Sequence, residues 1–179
     1  MDTSISKKIT LFIECLGDTA DAAEELFSCR DVLTVCKYDE DRLAAMASLV
    51  PILADENVKG FYLYGVCVAE AFRGRGLFRV VMDMAESEAR ARGADFVCLI
   101  PADEKLAQTY RRFSYDVEVL PKGNDGKKID LLSDDFRSFA FCDKEIHGKR
   151  MSGLMKSFNR EIFCPRQREF AFSCDMGDV

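Results

Sequence analysis

One passage constrains the fold most: Val68-Ala69-Glu70-Ala71-Phe72-Arg73-Gly74-Arg75-Gly76-Leu77, which joins an apolar strand to an amphipathic helix. Phe61 to Val68 is aromatic and apolar throughout, the pattern of a strand covered on both faces and central in its sheet. After the glycines, Leu77, Val80, Val81, Met84, Ala85 and Ala89 recur at spacings of three and four, which predicts one apolar helical stripe. Glu86 with Arg90 and Glu88 with Arg92 are i,i+4 pairs in the favourable order, and Gly93 is a helix stop. A strand that turns through glycines into a helix N-terminus gathers unpaired N–H groups and partial positive charge at one point. Glycine also keeps that backbone open to close approach. The junction therefore suits a phosphate or pyrophosphate, and Arg73 and Arg75 add charge. Taken alone, the motif is equally an ordinary tight turn with solvated arginines. No Gly-Lys-Ser/Thr follows, so it is not a P-loop. It also lacks the third glycine and downstream acidic residue of a dinucleotide fingerprint.

Elements on either side extend the pattern. Residues 9 to 27 read as helical in part, with Thr19 capping a segment that carries Ala22, Ala23, Leu26 and Phe27. Val32 to Cys36 reads as a strand, Asp39-Glu40-Asp41 as a turn and Leu43 to Leu53 as a second strand, giving a hairpin. Asp55-Glu56-Asn57 is another polar turn. Beyond Gly93, Phe96 to Ile100 is a short buried strand ended by Pro101. Asp103 caps a helix with Leu106, Tyr110 and Phe113 on one face, and Val117 to Leu120 is a further strand. Residues 122–135, around Gly123-Asn124-Asp125-Gly126, read as a surface loop. Phe136 to Phe141 is expected as a strand, Gly153 to Phe163 as a helix and Glu169 to Cys174 as a last strand. The sum is an α/β fold with a mixed sheet.

Length and charge narrow the class. With 179 residues the chain can bury a core without staples and is read as a single domain over 1–179, its core at about 30–120 and 136–179 completing the sheet. Against 31 Asp and Glu stand 25 Lys and Arg, a net charge of −6, which argues against nucleic acid as the main partner. Fourteen Phe and five Tyr supply the apolar area that a disordered chain lacks. No run of 18 apolar residues predicts a membrane span, and Met1 to Thr10 makes a poor signal peptide. The eight cysteines (Cys15, Cys29, Cys36, Cys67, Cys98, Cys142, Cys164 and Cys174) show no C-x-x-C spacing, and His147 is the single histidine. No metal site is expected, and the cysteines read as reduced residues of a cytoplasmic protein, Cys67 and Cys98 as small buried hydrophobes.

The junction resembles the GCN5-related N-acetyltransferase (GNAT) family, whose signature after the central strand is [Gln/Arg]-x-x-Gly-x-[Gly/Ala]. Arg73 and Gly76 match, and Phe78 stands at the last position. The family pattern Asn-x-x-Ala-x-x-x-Tyr-x-x-x-Gly-Phe is similar to Asp103, Leu106, Tyr110, Ser114 and Tyr115 at the same spacing, with only the tyrosine kept. The likeness runs over roughly residues 30 to 120. It implies a GNAT-like, partly antiparallel sheet flanked by helices, with the central parallel strands Phe61–Val68 and Phe96–Ile100 splayed. It further implies acetyl-CoA as co-substrate: pantetheine on the backbone of Val66, Cys67 and Val68, pyrophosphate on Arg73, Gly74, Arg75, Gly76, Leu77 and Phe78. Tyr110 becomes the general acid for the departing thiolate, whereas helical spacing alone makes it a core tyrosine.

The implied reaction is direct acetyl transfer to a primary amine of a small molecule or peptide. A non-catalytic module that holds CoA or another ligand is the alternative. A third reading is an interaction protein using the Phe-rich tail from Phe136. The acceptor, the general base and the oligomeric state are not legible. Tyr62 and Tyr64 share a strand face and either line an acceptor pocket or pack the sheet. Glu70 reads as a solvated strand end, and His147 lies in a polar stretch. Cys67 as a covalent nucleophile is set aside, because no histidine is near it in sequence and its apolar neighbours raise its pKa.

Overall fold

The computed structural model describes residues 3–54, 58–121, 145–146, 149–150, 153–158 and 169–170. The polar turn at 55–57, the loop at 122–135, the strand at 136–141, His147, and Cys142, Cys164 and Cys174 lie outside the described residues. The chain divides into two compact units, Met1–Val50 with Leu63–Glu88, and Pro51–Tyr62 with Ala89–Val179.

The first unit opens with helices α1 (Thr3–Leu16) and α2 (Ala20–Ser28). Gly17, at φ +67°, ends α1 in the left-handed region that a terminating residue needs. Thr19 begins α2 as expected, its hydroxyl accepting from the Ala22 N–H at 3.3 Å. Phe12 of α1 meets Phe27 of α2 edge-on, 5.6 Å between ring centres. Strands β1 (Leu33–Asp39) and β2 (Arg42–Ala54) form the expected antiparallel hairpin, Asp39 opposite Arg42 and Leu33 opposite Leu49. Leu43 to Val50 is buried without a break, hence a continuous apolar run rather than an alternating one. The one polar residue in it, Ser48, meets the Thr34 hydroxyl at 3.3 Å. Strand β3 (Val58–Val68) from Leu63 onward and helix α3 (Leu77–Ala91) up to Glu88 complete the unit. The buried face of α3 is rotated from the expected stripe: Val81, Met82, Ala85 and Ala89 are buried, whereas Val80 is exposed. Met82 lies within 100° of Val81 on the helix, so the two faces are close to indistinguishable from spacing alone.

In the second unit, strand β4 (Phe96–Leu99) pairs parallel with β3 at Gly60–Phe96, Phe61–Val97 and Tyr62–Cys98. Helix α4 (Glu104–Arg111) follows, capped by Asp103, whose carboxylate accepts from the Leu106 N–H at 2.7 Å. Then come β5 (Val117–Pro121), the two-stranded β6 (Glu145–Ile146) and β7 (Lys149–Arg150), β8 (Gly153–Ser157) and β9 (Glu169–Phe170). Hydrogen bonds order the strands β3-β4-β8-β5-β9. The helix expected over Gly153–Phe163 is corrected here. Gly153–Ser157 is a strand inserted antiparallel between β4 and β5, Leu154 opposite Leu99 on one side and Glu118 on the other. Two ladders outweigh the good helix propensity of Leu, Met and Lys. Among the described residues the fold is a mixed sheet of antiparallel and parallel pairs with four helices.

Candidate active site

The site begins where β3 changes course. Gly65 sits inside the strand at φ +61°, a conformation of the kind that glycine adopts at a β-bulge. Its effect is read from α1. Tyr64 packs on Phe12, ring centres 5.6 Å apart, and a Cβ on the next residue, Gly65, would fall 2.9 Å from the same ring. A regular strand would place Tyr64 and Gly65 on opposite faces. Gly65 reverses the alternation, so Cys67 is buried and Val66 and Val68 are half-buried. Sequence alternation alone missed this, although an isolated glycine within a strand was the available signal.

The strand then hands over to the glycine turn. The Ala69 N–H bonds the Ala44 carbonyl at 2.9 Å, and Glu70–Phe72 forms one 3-10 turn. Gly74 and Gly76 both have φ +77°, and a Cβ on either would meet nothing within 4 Å. These positions need glycine for their dihedral, and the backbone around them is open. Helix α3 starts at Leu77, so the N–H groups of Leu77, Phe78 and Arg79 belong to its first turn, where a helix has no intrahelical acceptors. The Val80 N–H already bonds the Gly76 carbonyl at 3.4 Å. Phe78 is half-buried.

The arginines are committed in different ways. Arg73 Nε donates to the Val68 carbonyl at 3.3 Å, so it fastens the turn to the end of β3. Arg75 lies over the ring of buried Phe72, 5.2 Å from its centre, and Arg42 lies over the same ring at 5.0 Å. Arg42 was not read as a site residue, because only the β1–β2 hairpin carries it to the turn. Glu14 of α1 accepts from the Glu70 N–H at 2.9 Å, so Glu70 marks the strand end. The Val68 carbonyl also takes the Cys15 thiol at 3.6 Å; its acceptor capacity is largely used by the protein itself.

Val66–Val68 and Arg73–Phe78 therefore lie together in the first unit, and Tyr110 belongs to the second. Tyr110 lies in the last turn of α4, buried with Ala107, its ring 6.0 Å from that of Tyr115. Leu106 and Phe113, expected on the same inward face, are half-buried. Tyr62 is buried in this unit. Burial pushes its hydroxyl well above the usual phenol range, with Cys98 and Tyr110 adding to the rise and a hydrogen bond to the Ile100 backbone opposing it. Of the two tyrosines expected on one strand face, Tyr62 thus sits with Ile100 and Tyr64 with Phe12. Among the described residues no group of three or more His, Cys, Asp or Glu could hold a metal ion, and no helix is long and apolar enough to cross a membrane.

Known proteins supply the remaining evidence. No curated protein matches the sequence. Among solved structures, the GNAT family N-acetyltransferase YhbS from Escherichia coli in complex with CoA is similar with a TM-score of 0.66 and 11% identity, over 96% of this chain and 86% of that one. A GNAT family acetyltransferase from Brucella melitensis in complex with acetyl-CoA has a TM-score of 0.52 at 16% identity, over 63% and 77%. Aminoglycoside 6'-acetyltransferase type Ii has 0.55 at 17%, over 86% and 88%. At these identities the likeness is one of fold. The model of the acetyltransferase (GNAT) domain matches residues 2–117, which takes in α1 and α2 beyond the stretch that the motifs cover. A match over more than half of the sequence settles the family, and the chain belongs to the GNAT acetyltransferases.

Proposed function

We propose that the protein is an acetyl-CoA-dependent N-acetyltransferase that moves acetyl directly to a primary amine. The observation that carries this reading is the pair of left-handed, unobstructed glycines, Gly74 and Gly76, at the start of α3. That backbone, with Arg73, Arg75, Leu77 and Phe78, holds the pyrophosphate at the positive end of the helix. The β3–β4 register ends at Tyr62–Cys98 while β3 runs on to Val68, which leaves the backbone at Val66 and Cys67 for the pantetheine amides. Val68 contributes less, since its carbonyl already takes Cys15 and Arg73.

In the reaction the amine nitrogen attacks the thioester carbonyl, the carbon–sulfur bond breaks, and the thiolate takes a proton from the Tyr110 hydroxyl. On this reading the protein works in the cytoplasm. The fold shared with enzymes named for aminoglycosides supports a small-molecule amine as acceptor. A second reading, a module that binds CoA without turnover, is favoured by the burial of Tyr110 against Tyr115. Calorimetry with acetyl-CoA tests the common part of both readings. Release of free CoA on adding a panel of amines separates them, and failure to bind acetyl-CoA would remove both.

A further inference from the structure

We propose that the cavity between α1 and the start of β2 binds a small zwitterionic peptide, a dipeptide held by its carboxylate at Lys7 and Arg42 and by its ammonium at Glu14. The cavity lies wholly within the first unit, and the proposal does not rest on the function proposed above.

The fold sets the length and polarity of this cavity. Lys7, Thr10, Leu11 and Glu14 share one face of α1 and line a space of about 390 Å³ together with Leu43 and Ala69. That volume is at the low end for small-molecule sites. Hydrogen bonds fasten α1 on either side of it. The Lys7 ammonium donates to the Asp41 carbonyl at 2.8 Å, and the Glu14 carboxylate accepts from the Glu70 N–H at 2.9 Å. Seven residues separate Lys7 from Glu14, two helical turns or about 10 Å. Charge is divided along the same line. The carbonyl that Lys7 holds is bonded to the Arg42 nitrogen, so both cations start from one point and outnumber the Asp41 carboxylate there. Glu14 makes the other end negative. An ion of one sign meets its own charge somewhere in this lining, whereas a zwitterion matches it end for end.

Size and polarity select a peptide among zwitterions. An extended dipeptide spans about 7 Å, which fits within two helical turns and leaves room for the groups that grip its ends. Its amide falls near the middle, where Thr10 stands about one turn from both Lys7 and Glu14. The Thr10 hydroxyl donates to the Ser6 carbonyl at 2.9 Å, and its oxygen remains an acceptor for an amide N–H. Leu11, Leu43 and Ala69 are buried and give an apolar floor for small side chains. Arg42 rests on the Phe72 ring, 5.0 Å from its centre, and among the described residues no acceptor takes its guanidinium N–H groups. A carboxylate supplies that acceptor. The cavity is separate from the strand that the pantetheine is proposed to use. Phe12 packs on Gly65 and the Cys15 thiol on the Val68 carbonyl, and neither residue lines the cavity, so α1 stands between it and that stretch of β3.

The test titrates the isotope-labelled full chain with alanylalanine near neutral pH and reads the backbone amide resonances. Saturable shifts are expected at Thr10, Leu43 and Ala69. Acetylating the amine of the dipeptide, or amidating its carboxylate, is expected to weaken binding by about fivefold or more, the worth of a charge-assisted contact that stays partly solvated. The compound 6-aminohexanoate keeps two separated charges without the amide and is expected to bind more weakly than the dipeptide. Glu14→Gln keeps an oxygen for the Glu70 N–H and removes the charge. It is expected to weaken the free dipeptide as acetylation does, and in that variant acetylation costs little more, because both changes remove one pair. Arg42→Met stands in the same relation to the amidated dipeptide. Saturating CoA is expected to leave dipeptide affinity within twofold. No saturable shift at these residues up to about 10 mM overturns the site, and so does displacement by CoA, which would assign the cavity to CoA. Acetylated dipeptide that binds as well as the free form overturns the zwitterion, and 6-aminohexanoate that equals the dipeptide overturns the peptide. Dipeptide binding by a protein that takes up no CoA upholds the site and overturns the proposed function.

Discussion

Gly60 of β3 lies directly against the ring of Phe96 on β4, so close that a Cβ at Gly60 would overlap the ring. The two are register partners in the parallel ladder, and Phe96 is fully buried, so its ring has no solvent to move into. Gly60→Ala is therefore expected to cost about 1–3 kcal/mol, the range for overpacking a filled core. Urea denaturation checks it. A variant within 0.5 kcal/mol of the parent would mean that the ring relaxes freely.

The glycines of the turn make a different prediction. Gly76 has φ +77° with nothing near its Cβ position, so Gly76→Val acts through dihedral strain rather than collision with the protein. Gly17 is the matched control: φ +67°, equally open, and at the end of α1 rather than at the turn. Both valine variants are expected to lose about 1–2 kcal/mol of stability, the usual left-handed penalty. Only Gly76→Val is expected to lose CoA affinity, by tenfold or more in calorimetry. Unchanged affinity in folded Gly76→Val would remove the turn from the binding site.

Ser114 carries the opposite opportunity. It stands where the family pattern has glycine, and its φ of +66° is the conformation that glycine holds without strain. Relieving the strain outweighs the extra chain entropy of glycine, so Ser114→Gly is expected to stabilise the protein by about 0.5–1 kcal/mol. A lowered melting temperature would refute this.

These residues also mark how far the sequence could be read. Local signals sufficed where a cap, a stop or a turn decides the element: Thr19, Gly93, Asp103 and the Asp39–Arg42 turn all act as their residue types imply. They failed where distant partners decide. Gly153–Ser157 is a strand because β4 and β5 flank it, and Arg42 reaches the turn because a hairpin delivers it. The full length of α1, back to Thr3, was not read, although Asp2, Thr3 and Ser4 are residue types that start helices. Within the site, the order of Gly74 and Gly76 before α3 was legible. The reversal at Gly65 was not, since period-two alternation assumes an unbroken strand.

The acidity of Cys15 makes a pH prediction. Its folded pKa lies near 7, below the ordinary thiol value of 9.0, so its thiolate fraction climbs as pH rises through neutrality. Iodoacetamide labelling of Cys15 is expected to accelerate between about pH 6 and pH 8 and then level off, as thiolate is the reactive form. Cys98, buried and raised, is expected to stay unlabelled in the folded protein over that interval. A Cys15 rate that still climbs tenfold per pH unit above pH 8 would show an ordinary thiol.

Tyr110 decides whether the fold turns over substrate. Its ring is buried with Ala107 and beside Tyr115, and that packing survives replacement by phenylalanine. Tyr110→Phe removes only the hydroxyl. If that group protonates the departing thiolate, CoA release is expected to slow by about 10²–10⁴, the usual worth of a general acid. Acetyl-CoA affinity and melting temperature should barely move. If the hydroxyl serves only as a buried hydrogen-bonding group, the pattern inverts, with stability falling by about 0.5–1.5 kcal/mol and turnover nearly intact. Parallel turnover and denaturation measurements on the one variant separate the two, and a rate within twofold of the parent takes Tyr110 out of the mechanism.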